Sequence, residues 1–218
     1  MAGKIWLTVL TAVLLVHGRA LGATAEVDVA DAHGRPLADA VVELTPAVTS
    51  PGAGPGGLPL ESIIDQRHET FLPLVTLIRK GGHVIFTNND TTMHQVYSFS
   101  PIKQFAFEID KGQRSDPVTF EKPGVAAIGC NIHDQMITYV YVAGQALAAL
   151  SDSAGRATIA DLPAGAYRGS VWHPRLEPGA APPSFSFLVS GNGTKTTVII
   201  KDISAAPHGE KPMHMQMY

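Results

Sequence analysis

The chain has 218 residues, with 16 Lys or Arg against 19 Asp or Glu and a formal net charge of −3. Mild acidity with no basic stripe argues against nucleic acid as a partner. A chain of this length suffices for one large domain or two small ones.

The first expected element is an export signal over residues 1–25. Lys4 supplies positive charge, Ile5 to Val16 is a mostly apolar run, and Ala23-Thr24-Ala25 is a small-x-small cleavage signal. The run is too short to span a bilayer, which needs about 20 residues. No second long apolar run follows, so no membrane span is expected. No cysteine stands at the cleavage point, which excludes a lipoprotein anchor there. Cleavage removes Lys4 and Arg19 and no acid, leaving 14 basic against 19 acidic side chains and a charge of −5. The expected location is periplasmic or secreted.

Beyond residue 25 the pattern predicts an all-β chain. Short runs rich in β-branched and aromatic residues recur: VDVAD, AVVEL, LVTLI, HVIFTN, VYSFS, PVTFE, YVYVA, FSFLV and TTVIIK. KGG, NND, DKG, KPG and SGNG punctuate them as turns, as in a sandwich or barrel. No segment holds a 3.6-residue period over three turns. SPGAGPGGLP (50–59) reads as a linker and EPGAAPP (177–183) as a loop between strands.

The chemistry is concentrated in two stretches. HVIFTNNDTTMHQVYSFS (83–100) carries His94 after a strand and an Asn-Asp-Thr turn. VTFEKPGVAAIGCNIHDQM (118–136) runs from a strand through a Pro-Gly turn into a second strand, then Cys130, His133 and Met136. Cys130 is the one cysteine of the chain and cannot form an internal disulfide. Alone it is an unreactive buried thiol, an intermolecular bridge or a metal ligand. Its neighbours favour the last. Two imidazoles and a thiolate in a plane with a weak axial thioether make the ligand set of a mononuclear blue-copper site. Zinc more usually takes closed four-coordinate Cys/His sites, and methionine is not a typical zinc ligand. Met93 reads as packing, Trp172-His173-Pro174 as a strand end, and His33, His68 and His83 as surface or loop residues.

These two stretches resemble the copper-binding segments of cupredoxins of the plastocyanin and amicyanin group. The resemblance covers about residues 70–143; the Cys–x2–His–x2–Met spacing is similar to that of amicyanin. It implies that His94, Cys130, His133 and Met136 hold one type 1 copper per chain. It also implies that Asn88 bridges the two ligand loops and that His133 is the partly exposed electron port. Ile132 stands where many cupredoxins have proline, and Asp134 and Gln135 make the rim more polar than a typical docking face.

The flanking segments DAHGRPLADAVVELTP (31–46) and LSDSAGRATIADLPAGAYRGSVWHP (150–174) resemble the two halves of a transthyretin-like, carboxypeptidase-regulatory-type β-sandwich. The expected organisation is therefore a Greek-key cupredoxin sandwich over 60–143, inserted after a linker over 49–59 into a small β domain made of 26–48 and 144–204. The alternative is two consecutive domains, with 26–48 as an N-terminal strand of the cupredoxin. Residues 205–218 form a tail with His208, Met213, His214, Met215 and Met217, whose thioethers and imidazoles suit weak copper capture.

The function these readings imply is single-electron transfer between a donor dehydrogenase and an acceptor such as a cytochrome, with no catalysis of its own. Copper storage or delivery is the alternative, and a structural or adhesion module with a vestigial site is the third.

Overall fold

The computed structural model describes residues 22–48 and 57–204, apart from 146, 178 and 192. Most of the expected export signal, most of the linker and the whole Met/His tail lie outside the described residues. The described chain is all-β, with sixteen strands and no helix.

Two sheets are built from the middle of the chain. Their strands are β3 (Glu61–Arg67), β4 (Thr70–Leu72), β5 (Val75–Arg79), β6 (Gly82–Asn88), β7 (His94–Ser98), β8 (Phe105–Ile109), β9 (Val118–Phe120), β10 (Gly124–Cys130) and β11 (Ile137–Ala143). One sheet has the order β5-β11-β10-β7-β8 and the other β4-β3-β6-β9. Both line one core, in which Ile64, Phe71, Phe86, Val96, Phe120 and Ile128 are buried with Cys130 and Met136. Strict alternation along β6, with Gly82, Val84, Phe86 and Asn88 inward, places every second side chain in that core.

The remaining strands come from the two ends of the described chain. They are β1 (Ala23–Asp31), β2 (Val41–Pro46), β12 (Leu147–Leu150), β13 (Arg156–Leu162), β14 (Gly165–Trp172), β15 (Ser184–Val189) and β16 (Thr194–Ile200). They form the sheets β13-β1-β16 and β12-β2-β14-β15 around a second core that includes Val27, Leu44, Leu162, Tyr167 and Ile200. β1 begins at Ala23, so the expected cleavage signal lies within a strand whose Ala23 and Ala25 are buried.

The point of connection explains how one sandwich can sit inside the other. β2 and β12 are antiparallel neighbours, with Leu44 opposite Leu147. The adjoining ends of such a pair lie close enough to be joined by a two-residue hairpin. Here the strands β3–β11 occupy that connection. A third buried cluster holds the two sandwiches against each other: Val41, Val75, Leu77 and Ala143, flanked by Tyr139, Tyr141 and Trp172. Trp172 lies 5.6 Å, ring centroid to centroid, from both tyrosines. The Tyr141 hydroxyl donates to Glu43 across the junction at 2.8 Å. Burial, then the Glu43 charge, pushes the Tyr141 phenol well above its ordinary range.

Candidate metal centre

β7 and β10 are antiparallel partners with Val96 opposite Cys130. Opposed residues point to the same face and so do residues two apart on a strand, so His94 and Cys130 share the inner face on adjacent strands. Gly129 stands opposite Tyr97, whose ring lies so close that an added Cβ would sit 3.0 Å from the hydroxyl. Glycine there lets Tyr97 close over β10 directly beside the cysteine.

After Cys130 the chain turns on itself. The Met136 N–H donates to the His133 carbonyl at 3.0 Å, and the Cys130 N–H donates to the Met136 carbonyl at 3.3 Å. This closed turn brings His133 back over Cys130. The Cys130 Sγ is 3.6 Å from His94 Nδ1 and 3.9 Å from His133 Nδ1, and the two Nδ1 atoms are 3.2 Å apart. Among the described residues these three form a group of metal-ligating geometry.

The triangle can be tested for fit. The circle through three points at those separations has a radius of about 2.1 Å, against about 2.0–2.1 Å for a metal–imidazole bond and about 2.3 Å for a metal–thiolate bond. An ion in the plane therefore reaches all three donors without rearrangement of the chain. A soft thiolate with two imidazoles suits copper in both common oxidation states.

Exposure separates the ligands. His94 and Cys130 are fully buried, while the His133 side chain keeps 19 % of its surface in contact with solvent. Met136 is buried in the same core cluster as Cys130. Asn88 is buried too, but its carboxamide serves another connection than the expected one. Its Nδ2 donates to the carbonyls of Thr92 and Ile109, and its Oδ1 accepts from the Asp90 N–H. Those bonds tie the turn before His94 to β8 and leave no donor for the cysteine loop. The two ligand loops are joined instead by Asn131, whose N–H and Nδ2 donate to the Gln95 carbonyl and Oε1.

Two acidic residues behind the imidazoles were not legible as site residues. Asp90 Oδ2 lies 3.2 Å from His94 Nε2. The N–H groups of Glu69 and Thr91, which donate to its carboxylate, hold the Asp90 carboxyl down at about 2, and His94 adds to them against the opposing effect of burial. An ionised carboxylate accepts only, so His94 Nε2 donates to Asp90 and Nδ1 is the ring atom that faces Cys130. Glu69 Oε1 stands 3.7 Å from His133 Nε2, and its Oε2 accepts from Gln135 Nε2 at 3.0 Å. The spacing of Asp90 four residues before His94 was the available signal; Glu69 offered none, since only folding brings it near.

No family model and no curated protein matches the chain. Several solved structures resemble part of it. A purple cupredoxin from Nitrosopumilus maritimus is 24 % identical over 38 % of this chain and 99 % of its own, at a TM-score of 0.35. Amicyanin from Paracoccus versutus is 21 % identical over 46 % of this chain and 97 % of its own, also at 0.35. A copper-containing nitrite reductase from Thermus scotoductus is 25 % identical over 45 % of this chain but only 25 % of its own length, at 0.36. These scores are too low to carry a functional conclusion; the donor triangle carries it.

Proposed function

We propose that the chain is an exported single-electron carrier with one type 1 copper, held by His94, Cys130 and His133 with Met136 as the weak axial ligand. The observation that carries this reading is the donor triangle, whose dimensions match a trigonal thiolate–imidazole site. Copper bound there would supply a one-electron couple.

The chain's own residues account for the rest of the role. Strand pairing fixes His94 and Cys130 on a rigid sheet, and the closed 130–136 turn fixes His133. A set of donors that need not move between oxidation states keeps the reorganisation cost of electron transfer small. The buried sides of His94, Cys130 and Met136 keep water out. The His133 edge is the route by which electrons enter and leave, with exposed Ile132 beside it as an apolar contact for a redox partner. The partners are a donor dehydrogenase and an acceptor such as a cytochrome. A lone copper held by these four donors would have no open coordination position for a substrate, which favours a carrier over an enzyme.

The same reading takes the copper-binding sandwich as cupredoxin-like and the surrounding one as transthyretin-like, with an export signal at the N-terminus. The test is to load the protein with Cu(II) and record its visible spectrum. Strong blue or purple thiolate-to-copper absorption, lost in Cys130→Ser, is the expected result. A colourless Cu(I) complex that depends on residues 205–218 would favour storage or delivery instead, and absence of copper binding would overturn both.

A further inference from the structure

The β3–β4 hairpin connects Arg67 to Thr70, which face each other across the pair, through His68 and Glu69 alone. Both connecting residues have φ of +53°. A two-residue hairpin with positive φ at both positions ordinarily takes Asn-Gly or Asp-Gly, because other side chains are strained there. This chain places a histidine and a glutamate in it.

The position of Glu69 gives that choice a consequence. Its backbone N–H donates at 2.7 Å to Asp90 Oδ2, the same oxygen that faces His94 Nε2. Its side chain extends toward the other imidazole, with Oε1 at 3.7 Å from His133 Nε2, longer than a direct hydrogen bond, and Oε2 held by Gln135. One residue of one tight turn therefore stands behind both rings.

The rings need such support. Their Nδ1 atoms are 3.2 Å apart, and both must offer lone pairs to the same point. Two lone pairs at that distance repel, and a proton moved onto either Nδ1 would relieve the repulsion at the expense of a metal donor. A carboxylate behind each ring favours the proton on Nε2 and opposes that escape.

We propose that Glu69 is a positioning residue for the metal centre: through Asp90 it orients His94, and through its own carboxylate it orients His133, holding both rings as Nε2–H tautomers before metal arrives. The effect on a bound ion rests on the copper reading above; the tautomer claim does not. The Glu69 charge also favours the more positive oxidation state, so its removal raises the reduction potential.

The test uses nitrogen NMR of the metal-free protein to read the tautomer of each ring, followed by titration with Cu(II) and measurement of the potential. In the unaltered protein both rings are expected as Nε2–H. Glu69→Ala should leave His94 as it is and turn His133 into a mixture of tautomers, with metal affinity reduced about 10- to 100-fold. The potential should rise in the same variant. Glu69→Gln keeps an acceptor but no charge, so it should restore the tautomer and leave the potential raised. The double variant His68→Asn/Glu69→Gly suits the turn and should melt higher while reproducing the tautomer mixture of Glu69→Ala. An Nε2–H His133 that persists in Glu69→Ala and in the double variant overturns the proposal. If the protein takes up no copper, the electron-carrier reading fails, and the tautomers still decide the role of Glu69.

Discussion

Met136 shows what a single side chain decides at this site. It is fully buried beside Cys130, and its backbone already closes the ligand turn through bonds to His133 and Cys130. Those bonds do not depend on its side chain, so the thioether can be changed without opening the loop. Met136→Leu conserves volume and should cost less than about 1.5 kcal/mol of stability. With the proposed axial sulfur gone, the variant should keep its copper and its colour while the reduction potential rises, as voltammetry of the loaded protein would show. Loss of the metal in that variant would count against an axial role. Of the site residues, His94 and Cys130 were legible because each bounds a strand and carries a ligand atom, and His133 because it follows Cys130 by three residues on the same loop. Asp90 and Glu69 were not, because acids in turns are ordinarily read as solvated.

Among the elements, the β1–β2 connection depends on one buried carboxylate. Asp31 ends β1 and accepts the N–H groups of His33 and Arg35 at 2.9 Å and the Arg35 guanidinium at 2.6 Å. Burial pushes its carboxyl up, but those donors outweigh it and bring it down to about 2 from an ordinary 3.8. A carboxyl lower in the folded than in the unfolded chain adds stability that is complete above the ordinary value and disappears as pH falls through the folded one. Unfolding by urea should therefore show stability declining from about pH 4 to pH 2, and Asp31→Asn should flatten part of that decline. Asp28, lowered by Lys195 and Arg156, and Asp90 keep the remainder from vanishing. An equal decline in the variant would show that the turn does not use the charge. The strands that carry these turns were visible in outline from their alternating patterns. Their pairing was not, since β1 runs parallel to β16, more than 160 residues away, and antiparallel to β13.

For the whole molecule, the junction between the two sandwiches is the feature that no local pattern contains. Trp172, at the end of β14, packs on Tyr139 and Tyr141 of β11, and Tyr141 reaches Glu43 of β2. The metal centre adjoins the start of β11, where Ile137 pairs with Gly129. Tyr139 and Tyr141 lie on the face of that strand opposite Val140 and Val142, which share the core with Cys130. Trp172→Ala removes the largest side chain of the contact and should cost about 2–3 kcal/mol, less than for a fully buried tryptophan. Calorimetry should resolve two transitions in place of one, while the copper spectrum stays unchanged. A single transition at an unaltered temperature would mean that each sandwich is indifferent to the other.

The order of residues alone determined the all-β class and the identity of the donors, because strand periodicity and ligand chemistry are local properties of a few neighbouring side chains. It also placed His133 and Met136 on one short loop with Cys130. Tertiary structure decided the rest. Pairing of β7 with β10 brought His94 to the thiol, and the β3–β4 turn brought Glu69 behind the imidazoles. Distances of 3.2 to 3.9 Å between donors that are 36 and 39 residues apart follow from sheet register and core packing, which depend on the entire sandwich and on no stretch within it.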